Sequence, residues 1–109
     1  MAIDVRSRLG ISDEALTEFC RKWKIARLEL FGSALREDFD PETSDLDLLV
    51  TFLPDSGWSL FDELSMEEEF GTLVGREVDM PTRAEIEGME NYLRRRHILE
   101  SARTIYEAA

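Results

Sequence analysis

The chain has 109 residues, 43% hydrophobic and 34% charged, which predicts one folded domain over residues 1–109 rather than a disordered segment. Its 24 Asp and Glu outweigh 13 Lys and Arg, for a net charge of −11. That surface repels phosphate backbones, which argues against nucleic acid as a stable direct ligand and favours a basic protein partner or a bound metal ion. No apolar run is long enough to span a bilayer, and the first residues lack the basic-then-apolar pattern of a secretory signal. A single cysteine, Cys20, excludes an intrachain disulfide and suits a reducing cytoplasm.

In chain order, Ser12 is placed to cap a helix whose first turn carries Asp13 and Glu14. Leu16, Phe19, Cys20 and Trp23 follow at the spacing of one helical face, so Cys20 reads as a core residue rather than a nucleophile. Ile25 to Phe31 alternates as a strand, with Ala26, Leu28 and Leu30 on one face and Arg27, Glu29 and Phe31 on the other. Gly32-Ser33 ends it, Ala34 to Glu37 can make a helical turn, and Asp38 to Ser44 with Pro41 reads as a loop.

Asp45 to Phe52 is the clearest strand. Leu46, Leu48, Val50 and Phe52 share one face, and Asp45, Asp47, Leu49 and Thr51 the other. After a turn at Pro54 and Gly57, Ser59 and Asp62 resemble a capping box opening a helix that carries Leu60, Phe61, Leu64, Phe70, Leu73 and Val74. Gly75 is a natural stop for it. Glu77 to Met80 predicts a short strand ended by Pro81. The remainder reads as helix in two pieces broken near Gly88, with Leu93, Ile98, Leu99, Ala102, Ile105 and Tyr106 available for packing. This order implies an α/β domain with helices covering a small sheet, whether mixed or parallel.

Three features carry chemistry. In Leu30-Phe31-Gly32-Ser33 a strand runs into a Gly-Ser turn and a helical start, where backbone N–H groups can approach a phosphate; alone, such a turn is more often simply a turn. In Ser44-Asp45-Leu46-Asp47, residues two apart on a strand set two carboxylates side by side, and a hard divalent cation relieves their repulsion. The bland alternative is a solvated strand end. In Val78-Asp79-Met80 a lone carboxylate sits between apolar residues; it completes a three-carboxylate cluster if its strand neighbours the Asp45–Phe52 strand, and is otherwise an edge-strand charge.

Together, Gly32-Ser33, Asp45-x-Asp47 and the later Asp79 resemble the signature of the nucleotidyltransferase superfamily that includes DNA polymerase beta and kanamycin nucleotidyltransferase. The short length and the run Leu30-Phe31-Gly32-Ser33-Ala34-Leu35-Arg36 are similar to the minimal nucleotidyltransferases, the antitoxin halves of HEPN–MNT toxin–antitoxin pairs. The resemblance is strongest from Leu28 to Val50, continues to Met80 and is loose in the last helix.

The resemblance implies an α/β (α+β) nucleotidyltransferase fold, a small mixed sheet flanked by helices. It implies that Gly32, Ser33 and Arg36 bind nucleotide, and that Asp45, Asp47 and Asp79 are the catalytic, metal-binding carboxylates; Arg36 reads equally as a salt bridge to Glu37, Asp38 or Asp40. Two Mg2+ ions and ATP as substrate are then expected, acting with a HEPN ribonuclease toxin whose tyrosine hydroxyl receives AMP in a cytoplasmic hetero-oligomer. Two other readings stay open: an antitoxin that blocks its toxin by binding alone, and the catalytic subunit of a small-molecule (aminoglycoside-type) nucleotidyltransferase. Members often carry a glycine after the motif arginine; here Glu37 and Asp38 follow Arg36, with Asp40 and Glu42 close behind.

Arg94-Arg95-Arg96-His97 is the basic cluster of this acidic chain. It reads either as a helix face paired with nearby glutamates or as a contact to phosphates or the partner. Trp23 and Trp58 read as packing residues rather than a base-stacking platform.

Overall fold

A computed structural model describes residues 9–35 and 45–108, apart from the side chains of Ser33 and Ala34. The expected turn beyond Leu35 and the loop to Ser44, with Arg36, lie outside the described residues.

The first helix, α1 (Asp13–Lys22), begins where Ser12 Oγ accepts from the Ala15 N–H at 3.1 Å. Its first turn is acidic and its last turn holds Arg21 and Lys22, both favoured by the helix dipole. Strand β1 (Ile25–Phe31) follows directly, then a 3-10 turn over Gly32–Leu35 and strand β2 (Leu46–Phe52). Helix α2 (Leu60–Val74) opens with the expected capping box: Ser59 Oγ accepts from the Asp62 N–H at 3.2 Å, and Asp62 Oδ2 accepts from the Ser59 N–H at 2.9 Å. It ends at Gly75, whose φ of 70° is left-handed. Strand β3 (Val78–Asp79), helix α3 (Arg83–Glu87), helix α4 (Tyr92–Ser101) and strand β4 (Arg103–Glu107) complete the order.

The four strands form one mixed sheet in the order β3-β2-β1-β4, with β1 antiparallel to both β2 and β4, and β2 parallel to β3. Strand alternation decides what covers each face. Leu28, Leu30, Leu46, Leu48 and Val50 are buried on one side against Leu16, Phe19 and Cys20 of α1 and Met66 and Phe70 of α2. Phe31 and Leu49 are buried on the other side against Ile86 of α3 and Ile98 of α4. Burying several such side chains, at ~1.5–3 kcal/mol each, is what pins the helices to the sheet. The buried Cys20 thiol is pushed up to about 12 by desolvation, so it is a core residue as expected. Trp23 and Trp58 pack with ring centroids 5.0 Å apart, and the Trp58 indole N–H donates to the Trp23 carbonyl at 2.6 Å.

One expectation is corrected. Residues 103–107 are a strand, not the end of a helix. Ala102 turns extended (φ −58°, ψ 138°) and ends α4, and Thr104, Ile105 and Tyr106 supply the β-branched and aromatic side chains that suit a strand. The edge of β1 opposite β2 decides the matter, because β4 pairs Leu28 with Tyr106 and satisfies backbone groups that would otherwise be left open. Only some of the apolar residues that α2 carries reach the core. Met66 and Phe70 are buried, whereas Leu60, Phe61, Leu64 and Leu73 are exposed, as is Leu93 on α4.

Candidate active site

The site lies at the end of β1, where Gly32, β2 and β3 converge beneath α4. In the parallel pairing of β2 with β3, Asp47 stands opposite Asp79, and in the antiparallel pairing of β1 with β2 it stands opposite Phe31. Side chains of directly paired residues point to the same face, so the two carboxylates are neighbours by register alone. Asp79 is therefore both an edge-strand residue and a neighbour of Asp47, the condition on which its chemical reading depended.

Gly32 fixes this end of the site in two ways. Its φ of 71° lies in the left-handed region, and a Cβ placed on it would stand 2.6 Å from Asp47 Oδ2. The turn thus brings bare backbone against the Asp47 carboxylate, an approach that any side chain would block. Asp47 is half-buried. Its pKa is raised first by desolvation, then by the negative charges of Asp79 and Asp45, while the Arg94 guanidinium pulls it the other way. Asp45, one residue before β2, is exposed.

A cavity of about 390 Å³ opens over these residues. Gly32, Asp47 and Asp79 form its polar wall; Phe31, Pro81, Ile86, Met89 and Ile98 form its apolar one; Arg94, His97 and Ser101 reach it from α4. A larger hollow of about 630 Å³ between α2 and β3 is lined by Glu67, Glu68, Arg76 and Glu77 and includes neither Asp47 nor Asp79.

The arginine cluster divides. Arg96 pairs with Glu100 at 2.9 Å, and Arg95 donates to the Met89 carbonyl at 2.9 Å while lying over the Tyr92 ring. Both are engaged away from the cavity residues Asp47 and Asp79, whereas Arg94 and His97 face the cavity. Sequence reasoning did not find the apolar wall, because Pro81, Ile86, Met89 and Ile98 come from three separate segments. Nor did it find the brace behind it, where Arg83 Nη1 of α3 meets the buried Glu29 of β1 at 2.9 Å. Its one signal was a glutamate set between Leu28 and Leu30 in β1.

The donor set suits a divalent cation. Oxygen ligands are what a hard ion takes, and the mutual repulsion that raises Asp47 is what such an ion relieves. As the side chains stand, no group of three or more His, Cys, Asp or Glu among the described residues is gathered closely enough to hold one. Asp47 with Asp79 is the pair already in place. Among the described residues no helix is long and apolar enough to cross a membrane.

Strand-end carboxylates thus stand against a glycine turn. A sequence model of the nucleotidyltransferase domain matches residues 12–105. A solved structure provisionally named a minimal nucleotidyltransferase is 31% identical, with 92% of this chain and 94% of that one covered and a TM-score of 0.62. The same fold is found at 14% identity in a toxin–antitoxin crystal structure with AMP-PNP, covering 90% of this chain and 75% of that one, with a TM-score of 0.64. It recurs at 13% identity in the toxin–antitoxin MntA–HepT, covering 87% and 69%, with a TM-score of 0.55. No curated protein matches the chain significantly. The chain belongs to the nucleotidyltransferase domain family and is a nucleotidyltransferase.

Proposed function

We propose that this chain is a magnesium-dependent antitoxin that transfers AMP from ATP to a tyrosine hydroxyl of a HEPN ribonuclease toxin in the cytoplasm, and so silences it. The observation that carries the reading is the placement of Asp47, held against the Gly32 backbone on one side and in register with Asp79 on the other. The toxin–antitoxin neighbours, one of them with AMP-PNP, support the partner and the nucleotide.

Asp45, Asp47 and Asp79 would hold the metal. Bound magnesium supplies charge neutralisation at the phosphates and a lowered pKa for the attacking hydroxyl. The turn at Gly32 and Ser33 receives the triphosphate, with Arg36 assigned to the same task from the sequence. Asp79 orients the acceptor hydroxyl and takes its proton. The acceptor oxygen bonds to the α-phosphorus, the bond from that phosphorus to the bridging oxygen breaks, and pyrophosphate leaves. The apolar wall of Phe31, Ile86, Met89 and Ile98 keeps water from competing as acceptor. α-Labelled ATP, incubated with this chain and the toxin, labels the toxin in a magnesium-dependent way; a toxin that stays unlabelled refutes the proposal.

A binding antitoxin with a relic site is the second reading. The lack of a gathered three-carboxylate group among the described residues favours it. Retention of Asp45, Asp47 and Asp79 favours the enzyme.

A further inference from the structure

We infer that Arg94 is the cation that receives the β- and γ-phosphates of the nucleotide, the part that departs as pyrophosphate. The inference rests on the nucleotidyl-transfer reading and adds a residue from the loosely matching C-terminal helix to the site.

Three observations lead to it. Arg94 is held at the first turn of α4, because the Asn91 side-chain oxygen caps the helix by accepting from the Arg94 N–H at 3.1 Å. From there it lines the same cavity as Gly32, Asp47 and Asp79, and its charge acts on Asp47. Its two neighbours in the cluster serve other contacts, Arg96 with Glu100 and Arg95 with the Met89 carbonyl.

Electrostatics supplies the role. A triphosphate and three aspartates together carry more negative charge than two divalent ions cancel. In transfer, further charge gathers on the leaving pyrophosphate, where a fixed donor is most effective. A guanidinium offers planar, paired N–H donors that match phosphate oxygens, and it stays charged throughout the working pH range. In the absence of nucleotide the same charge opposes cation binding at Asp47, so Arg94 has opposite effects on the two ligands.

That opposition makes the test specific. Titrations of Mg2+ alone, and of AMP-PNP with saturating Mg2+, are compared in the wild type, Arg94→Ala, Arg94→Lys and Arg96→Ala. Arg94 is exposed, so the first variant keeps its fold, which an unchanged Tm verifies. Arg94→Ala is expected to weaken AMP-PNP by about 10-fold or more, the worth of a charge-assisted contact, while Mg2+ alone binds as well or better. Arg94→Lys should fall between, and Arg96→Ala should match the wild type. AMP-PNP affinity within two-fold of wild type in Arg94→Ala overturns the inference, as does a parallel loss of both ligands, which marks a structural role. A wild type that binds no AMP-PNP at all defeats the nucleotidyl-transfer reading itself.

Discussion

Gly32→Ala tests the geometry on which the site depends. Two costs can be separated. An L-residue at φ 71° pays ~1–2 kcal/mol in backbone strain, a fall in Tm of roughly 4–16 °C for a domain of this size. The new Cβ also meets Asp47 Oδ2 at 2.6 Å, where ordinary contact begins at 3.4 Å, so the carboxylate must retreat by 3.4 − 2.6 = 0.8 Å. Displacing a reacting group by about 1 Å costs on the order of 100-fold in rate. Gly57 provides the control, since its φ of 63° carries similar strain with nothing within 4 Å of an added Cβ. Thermal melts and single-turnover transfer on both variants should show similar losses of Tm, but a large loss of rate only for Gly32→Ala. Equal rates for the two alanine variants would refute the claim that the Gly32 backbone sets the position of Asp47.

Asp47→Asn is expected to raise the Tm of the metal-free protein at neutral pH. Burial, Asp79 and Asp45 hold the folded-state pKa above its unfolded value, so this group's contribution to stability declines as pH rises from the ordinary carboxyl range through the raised value. The gain should vanish near about pH 3, where Asp47 is protonated in both states, and Mg2+ should stabilise only the wild type; identical metal responses would contradict the ligand assignment. Arg83→Ala strands the buried Glu29 and should cost about 3 kcal/mol in urea denaturation, the low end for such pairs because Arg83 is one-third exposed; Glu29→Gln, which keeps a hydrogen bond, should cost less. Cys20, buried with its thiol pushed up to about 12, should resist thiol reagents until the protein unfolds, and rapid labelling of the native chain would disprove its core position.

What the sequence made legible follows from how local each signal is. The caps at Ser12 and Ser59, the stop at Gly75 and the two-face alternation of β1 and β2 are decided within a few residues, and each is found where expected. The adjacency of Asp47 and Asp79 depended on which strand neighbours β2, a long-range choice that alternation cannot encode. The same holds for β4, whose residues suit a strand but whose place is decided by the open edge of β1. In α2 the apolar residues alone do not tell which side meets the sheet: Met66 and Phe70 are buried, whereas Leu60, Phe61, Leu64 and Leu73 are exposed. Arg94 was visible as part of a basic run; only the path of α4 over the strand ends separates it from Arg95 and Arg96.

Intact-mass spectrometry of the toxin after incubation with this chain, ATP and Mg2+ tests the central claim most directly. Mass gains in whole AMP units, lost with Asp47→Asn, are the expected result. A toxin of unchanged mass that still forms a tight complex would contradict it, and would leave this chain an antitoxin by binding alone.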